Sequence, residues 1–84
     1  MAKIEKLITR FLTLPSDFTW EELEKMLNYF GYTEMKKGKT GGSRRKFVDN
    51  AGHMINLHKP HPGNIVKKYA LKDVHDALNE KGKL

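Results

Sequence analysis

Apolar residues recur at helical spacing in three stretches of this chain, and between the second and third the pattern changes to short runs bounded by glycine. Ile4, Leu7, Ile8, Phe11 and Leu12 mark a first helix that ends near Pro15. Trp20, Leu23, Met26, Leu27 and Phe30 form the stripe of a second. Thr19 stands at the N-cap position, Glu22 completes a capping box, and Gly31 sits where a left-handed C-cap is wanted. Leu71, Val74, Ala77 and Leu78 share one face of a last helix, running from about Ala70 and fraying before Gly82. Trp20 belongs to the apolar stripe and reads as core rather than as a ligand contact.

The middle of the chain reads as three strands, Tyr32–Lys37, Ser43–Asp49 and His53–Lys59, the first with poor alternation. A glycine-rich turn, Gly38–Gly42, joins the first two. Asn50-Ala51-Gly52 suits a three-residue hairpin loop whose glycine takes the left-handed position. That loop predicts a register in which Phe47 faces Ile55 and Arg45 faces Leu57 on the core side. On the other side it pairs Arg44 with His58, Lys46 with Asn56 and Val48 with Met54. The expected fold class is α+β: two helices, three antiparallel strands and a helix, with the helices on one sheet face. The other face stays open and carries Arg44, Lys46, Asn56 and His58.

With 84 residues the chain reads as a single domain with one modest core, residues 1–15 being an N-terminal helical extension. Such a core leaves little room for a deep pocket, so work on an open surface is expected. The formal charge of +6 favours polyanionic partners. An anionic membrane is the rival, but no long apolar run or strongly apolar basic helix supports it. The absence of cysteine excludes disulfides and thiolate metal sites and fits a reducing cytoplasm. Glu5, Lys6 and Arg10 interrupt the N-terminal apolar residues, so no signal-peptide core is expected.

Two segments bear chemistry: Gly41–Lys46, GGSRRK, and His58–Gly63, HKPHPG. Alternation sends Arg44 and Lys46 to one side of a strand and Arg45 to the other. Backbone N–H groups of the glycine turn suit a phosphate, and Lys36, Lys37 and Lys39 flank that turn. The competing reading is a solvated strand edge whose lysines discourage aggregation. RNA is cleaved without a metal when a base takes the 2′-OH proton, cations stabilise the phosphorane and an acid protonates the leaving oxygen. Histidine is the natural base near neutral pH, and a neighbouring cation favours the neutral, proton-accepting imidazole. His58 and His61 are therefore the catalytic candidates, although His61 between two prolines is open to a structural role, and an exposed histidine is commonly only a surface residue. His53 reads as a partly buried structural residue and His75 as an exposed one. A His58/His61 metal pair lacks a carboxylate or cysteine to complete a ligand set.

From Thr19 to Leu78 the chain resembles the HicA toxin family, the small mRNA interferases of type II toxin–antitoxin modules. The likeness rests on the Trp20–Tyr32 segment WEELEKMLNYFGY, the Gly42–Phe47 strand GSRRKF, and the His61–Gly63 turn HPG leading into Lys67–Leu78, KKYALKDVHDAL. The resemblance implies a fold similar to a double-stranded-RNA-binding domain, ribosome-independent cleavage of single-stranded mRNA without a cofactor, and neutralisation by a HicB-like antitoxin. It also implies a cytoplasmic protein, with any DNA contact made only through the antitoxin complex. Typical members carry Gly-Ser-His at the second strand, that histidine being the presumed catalytic residue; the matching positions here are Gly42, Ser43 and Arg44. Arginine stays protonated and cannot readily act as a base. On this reading His58 or His61 supplies the acid–base chemistry and Gly42, Ser43, Arg44, Lys46, Asn56, Lys36, Lys37 and Lys39 hold the RNA, with Ser43 and Asn56 positioning the strand. The alternatives are a non-catalytic RNA-binding module and a protein-interaction domain whose charge complements an acidic partner.

Overall fold

The computed structural model describes residues 2–35, 44–60 and 63–84. Its elements follow in the order α1 (Ala2–Leu12), α2 (Trp20–Tyr29), β1 (Thr33–Met35), β2 (Arg44–Val48), β3 (Met54–His58) and α3 (Lys68–Glu80). The strands form one antiparallel sheet with β2 in the centre. This is the α+β order that the apolar periodicities predict.

Local chemistry accounts for the element ends. The Thr19 side chain accepts from the Glu22 N–H at 3.2 Å, and the Glu22 carboxylate accepts from the Thr19 N–H at 2.9 Å. This reciprocal box satisfies donors that the first turn of α2 leaves orphaned. Gly31 follows the Phe30 C-cap at φ +94°, a conformation that costs glycine nothing. The last helix begins at Lys68, earlier than its apolar stripe. The Lys67 carbonyl accepts from the N–H groups of Ala70 and Leu71 at 3.0 and 3.1 Å, so the first turn is fixed by backbone bonds through residues with no apolar signal.

The β2–β3 register is the one the hairpin loop predicts: Arg44 opposite His58, Arg45 opposite Leu57, Lys46 opposite Asn56, Phe47 opposite Ile55 and Val48 opposite Met54. Gly52 takes φ +87° in the loop, and Asp49 closes it by donating its N–H to the His53 carbonyl at 3.1 Å. One sheet face is therefore buried through Phe47, Ile55 and Leu57, beneath Trp20, Leu23 and Leu27 of α2 and Leu71, Val74 and Leu78 of α3. Trp20 is 3% exposed, its ring 5.9 Å from that of Phe47, as a core residue should be.

Helix α1 joins the same core. Phe11 is fully buried, packing against Phe18 with ring centroids 5.8 Å apart and against His75 at 6.2 Å. Arg10 clamps the α1–α2 corner, bonding Glu22 at 2.8 Å and Asp17 at 2.7 Å across the face of Phe18. His75, expected to be exposed, is half-buried because α1 lies over it; its other neighbour is Asp76, at 3.5 Å.

Candidate nucleic-acid interface

Strand alternation splits the consecutive cations of β2 between two environments. Arg45 turns to the helix-covered side and is half-buried there, its Nε 3.0 Å from the Glu34 carboxylate. Arg44 and Lys46 turn to the other side and are exposed. No carboxylate among the described residues engages either of them. Of the three consecutive cations in the sequence, two therefore stand on the open face with no carboxylate partner among the described residues.

His58 and Asn56 face those cations across the strand pair, and both are exposed. The Asp49–His53 bond sets the alternation of the ladder, which makes Arg44–His58 and Lys46–Asn56 non-hydrogen-bonded pairs. In such pairs the Cβ atoms stand about 5 Å apart, so guanidinium and imidazole share one small surface. Of the residues singled out from the sequence, Arg44, Lys46, Asn56 and His58 are brought together. Lys36, Lys37, Lys39, Gly42, Ser43 and His61 lie outside the described residues.

His53 is accounted for by structure. Its Nδ1 shares a 2.6 Å hydrogen bond with the Tyr32 hydroxyl. Burial raises the Tyr32 hydroxyl above its ordinary range, and the nearby Asp49 charge adds to the effect. Asp49, only 6% exposed at its side chain, accepts from the N–H groups of His53 and Ala51 at 2.8 and 3.0 Å and pairs with Lys83 at 3.3 Å. Burial alone would raise this carboxyl; the hydrogen bonds and the Lys83 charge outweigh it and hold it below the usual range. Lys83 also caps the Phe30 carbonyl at 3.2 Å and lies over the Tyr32 ring. The cluster ties the chain end to the hairpin.

At the outer edge of β3 a cleft of about 400 Å³ opens between the sheet and the start of α3. Asn56 and His58 line it from the strand, Tyr69 and Asp73 from the helix, and Ile65 from the segment between them. That segment is pinned. Trp20 donates its N–H to the Asn64 carbonyl and Val66 donates to the Phe18 carbonyl, both at 2.7 Å, and Asn64 Nδ2 reaches Glu21 at 2.8 Å. Tyr69 and Asp73 escape the sequence reading because neither belongs to a charge cluster or an apolar stripe. The available signal was Tyr69 itself, an aromatic placed off the buried Leu71–Val74–Leu78 stripe.

Among the described residues no group of three or more His, Cys, Asp or Glu gathers as a metal site. No helix among the described residues is long and apolar enough to cross a membrane. No curated protein and no solved structure matches the chain. A family model does match, that of the HicA toxin of bacterial toxin–antitoxin systems, over residues 20–80, from the first residue of α2 to the last of α3. It takes in the whole sheet and both helices that cover it, leaving outside α1 with its connection and the last four residues, and on that match the chain belongs to the HicA toxin family.

Proposed function

We propose that this chain is an mRNA-cleaving toxin, inhibited by a HicB-like antitoxin, that cuts single-stranded RNA by metal-independent acid–base chemistry. The observation that carries the reading is the pairing of His58 with Arg44 on an exposed, cationic sheet face, with Lys46 and Asn56 one step along the same strands. Arg44 and Lys46 hold the scissile phosphate and stabilise the charge that builds on it. Asn56 and Ser43 position the strand, and the Gly42 backbone with Lys36, Lys37 and Lys39 extends the phosphate grip along the neighbouring segment. His58 takes the 2′-OH proton, and the freed oxygen attacks the adjacent phosphorus. The bond from phosphorus to the 5′ oxygen breaks, leaving a 2′,3′-cyclic phosphate, and the departing oxygen takes a proton to become a 5′-hydroxyl. His61, the other imidazole of the His58–Gly63 segment, is the candidate donor of that proton. The nucleophile is the RNA's own hydroxyl, so no metal-activated water is required.

The test is cleavage of a mixed-sequence single-stranded RNA by the purified chain in EDTA, with His58→Ala in parallel. Cuts by the wild type that vanish in the variant are the expected result. Cleavage by His58→Ala at the wild-type rate refutes the assignment. Arginine at position 44, where typical family members carry histidine, favours a second reading: an RNA-binding relative without cleavage. It predicts salt-dependent binding by the folded protein and no cut product.

A further inference from the structure

The cleft beside His58 has features that phosphate binding does not use. Tyr69 is 65% exposed and Ile65 45%, so two large apolar side chains stand outside the core in one concavity. Its volume, about 400 Å³, lies within the range of small-molecule sites. Asp73, four residues after Tyr69 on the same helix face, adds a carboxylate to the wall. That charge repels a phosphate but accepts hydrogen bonds from an amino group. Ile65 cannot easily withdraw, because the residues on either side of it are bonded to Trp20 and Phe18.

We propose that this cleft is a nucleobase subsite: one base of the bound RNA stacks on Tyr69 while Asp73 and Asn56 read its edge. The inference rests on the reading of the open face as an RNA site, since His58 lines both surfaces and places the stacked base next to the phosphate held there. A tyrosine ring supplies a flat π surface at small entropic cost, and single-stranded RNA is commonly bound by stacking its bases on such rings. Lys59 and Lys67, also on the cleft wall, lie where flanking phosphates pass. The Asp73 acceptor favours bases with an exocyclic amino group, namely adenine, cytosine and guanine, over uracil.

The experiment uses single-stranded RNA oligonucleotides with 2-aminopurine at each position in turn and a terminal fluorophore. Anisotropy reports binding and 2-aminopurine quenching reports stacking. The wild type is expected to quench the probe at one position. Tyr69→Ala should abolish that quenching and weaken binding by about 5- to 150-fold, the equivalent of about 1–3 kcal/mol for one stacked base. Tyr69→Phe should retain both, and circular dichroism checks that each variant is folded. Binding without quenching by the wild type, or wild-type quenching and affinity in Tyr69→Ala, overturns the subsite while the RNA reading stands, and leaves the cleft to a protein partner. No anisotropy change with the wild type overturns the RNA reading and the subsite with it.

Discussion

The division of the Arg44-Arg45-Lys46 run between two sheet faces sets a quantitative expectation for RNA binding. Removing one cation–phosphate pairing from a single-stranded complex reduces the slope of log K against log salt by about 0.7. Arg44 and Lys46 are exposed and unengaged by carboxylates among the described residues, whereas Arg45 pairs with Glu34 at 3.0 Å on the opposite side. The double variant Arg44→Gln/Lys46→Gln should therefore flatten the slope by about 1.4, and Arg45→Gln should leave it unchanged. Between about 50 and about 200 mM salt, removing one such pairing takes away roughly a 2.6-fold change in affinity, and removing both takes away roughly a sevenfold change. Fluorescence anisotropy with a short RNA, titrated across that range, measures all three slopes on folded protein. An Arg45→Gln slope as flat as that of the double variant would refute the reasoning, because the charges would then act as an undivided patch and not through the open face. An unchanged slope in the double variant would remove this face from the RNA site altogether.

The remaining expectations concern what holds that face in place. Phe11→Ala should cost about 3–5 kcal/mol, because Phe11 is fully buried against Phe18 and His75, out of roughly 4–13 kcal/mol for a chain of this length. Urea unfolding followed by Trp20 emission measures it, with the exposed Leu12→Ala expected within about 0.5 kcal/mol of wild type; a Phe11→Ala loss below about 1 kcal/mol would mean that α1 is a loose appendage. Asp49 is held below the usual carboxylate range, so its contribution is complete above the unfolded value of about 3.9 and drains away as pH falls through the lower folded one. Asp49→Asn should then be less stable than wild type near neutrality and converge with it in acid, as read by urea midpoints from neutral pH downward; parallel curves would sink the assignment.

Most of the frame was legible because its signals are local. A capping box needs only Thr19 and Glu22, and the hairpin register needs only Asn50-Ala51-Gly52 and a period of two. From the register followed the pairing of Arg44 with His58 and the diversion of Arg45. The Glu34 partner of Arg45 was not legible, because the three described residues of β1, Thr33–Met35, show no apolar–polar alternation from which its pairing could be read. The start of α3 was missed for a related reason: Lys68 and Tyr69 enter the helix through the Lys67 carbonyl and bury nothing.

The cleft was illegible for a deeper reason. Its walls come from β3 and α3, and the 64–66 segment between them is bonded to residues 18–20, more than forty positions earlier in the chain. No composition or periodicity encodes that antiparallel bridge. Its consequence bears on the anomaly at position 44. If arginine there has given up proton transfer and kept phosphate, the acid–base group must sit where the held phosphate can meet it, and His58 satisfies that condition directly across the strand pair. His58 also lines the cleft, so the imidazole proposed to meet the phosphate borders the surface proposed to stack a base. Cleavage chemistry and base preference would then be joined at one residue, and replacing Tyr69 should alter where RNA is cut while replacing His58 alters whether it is.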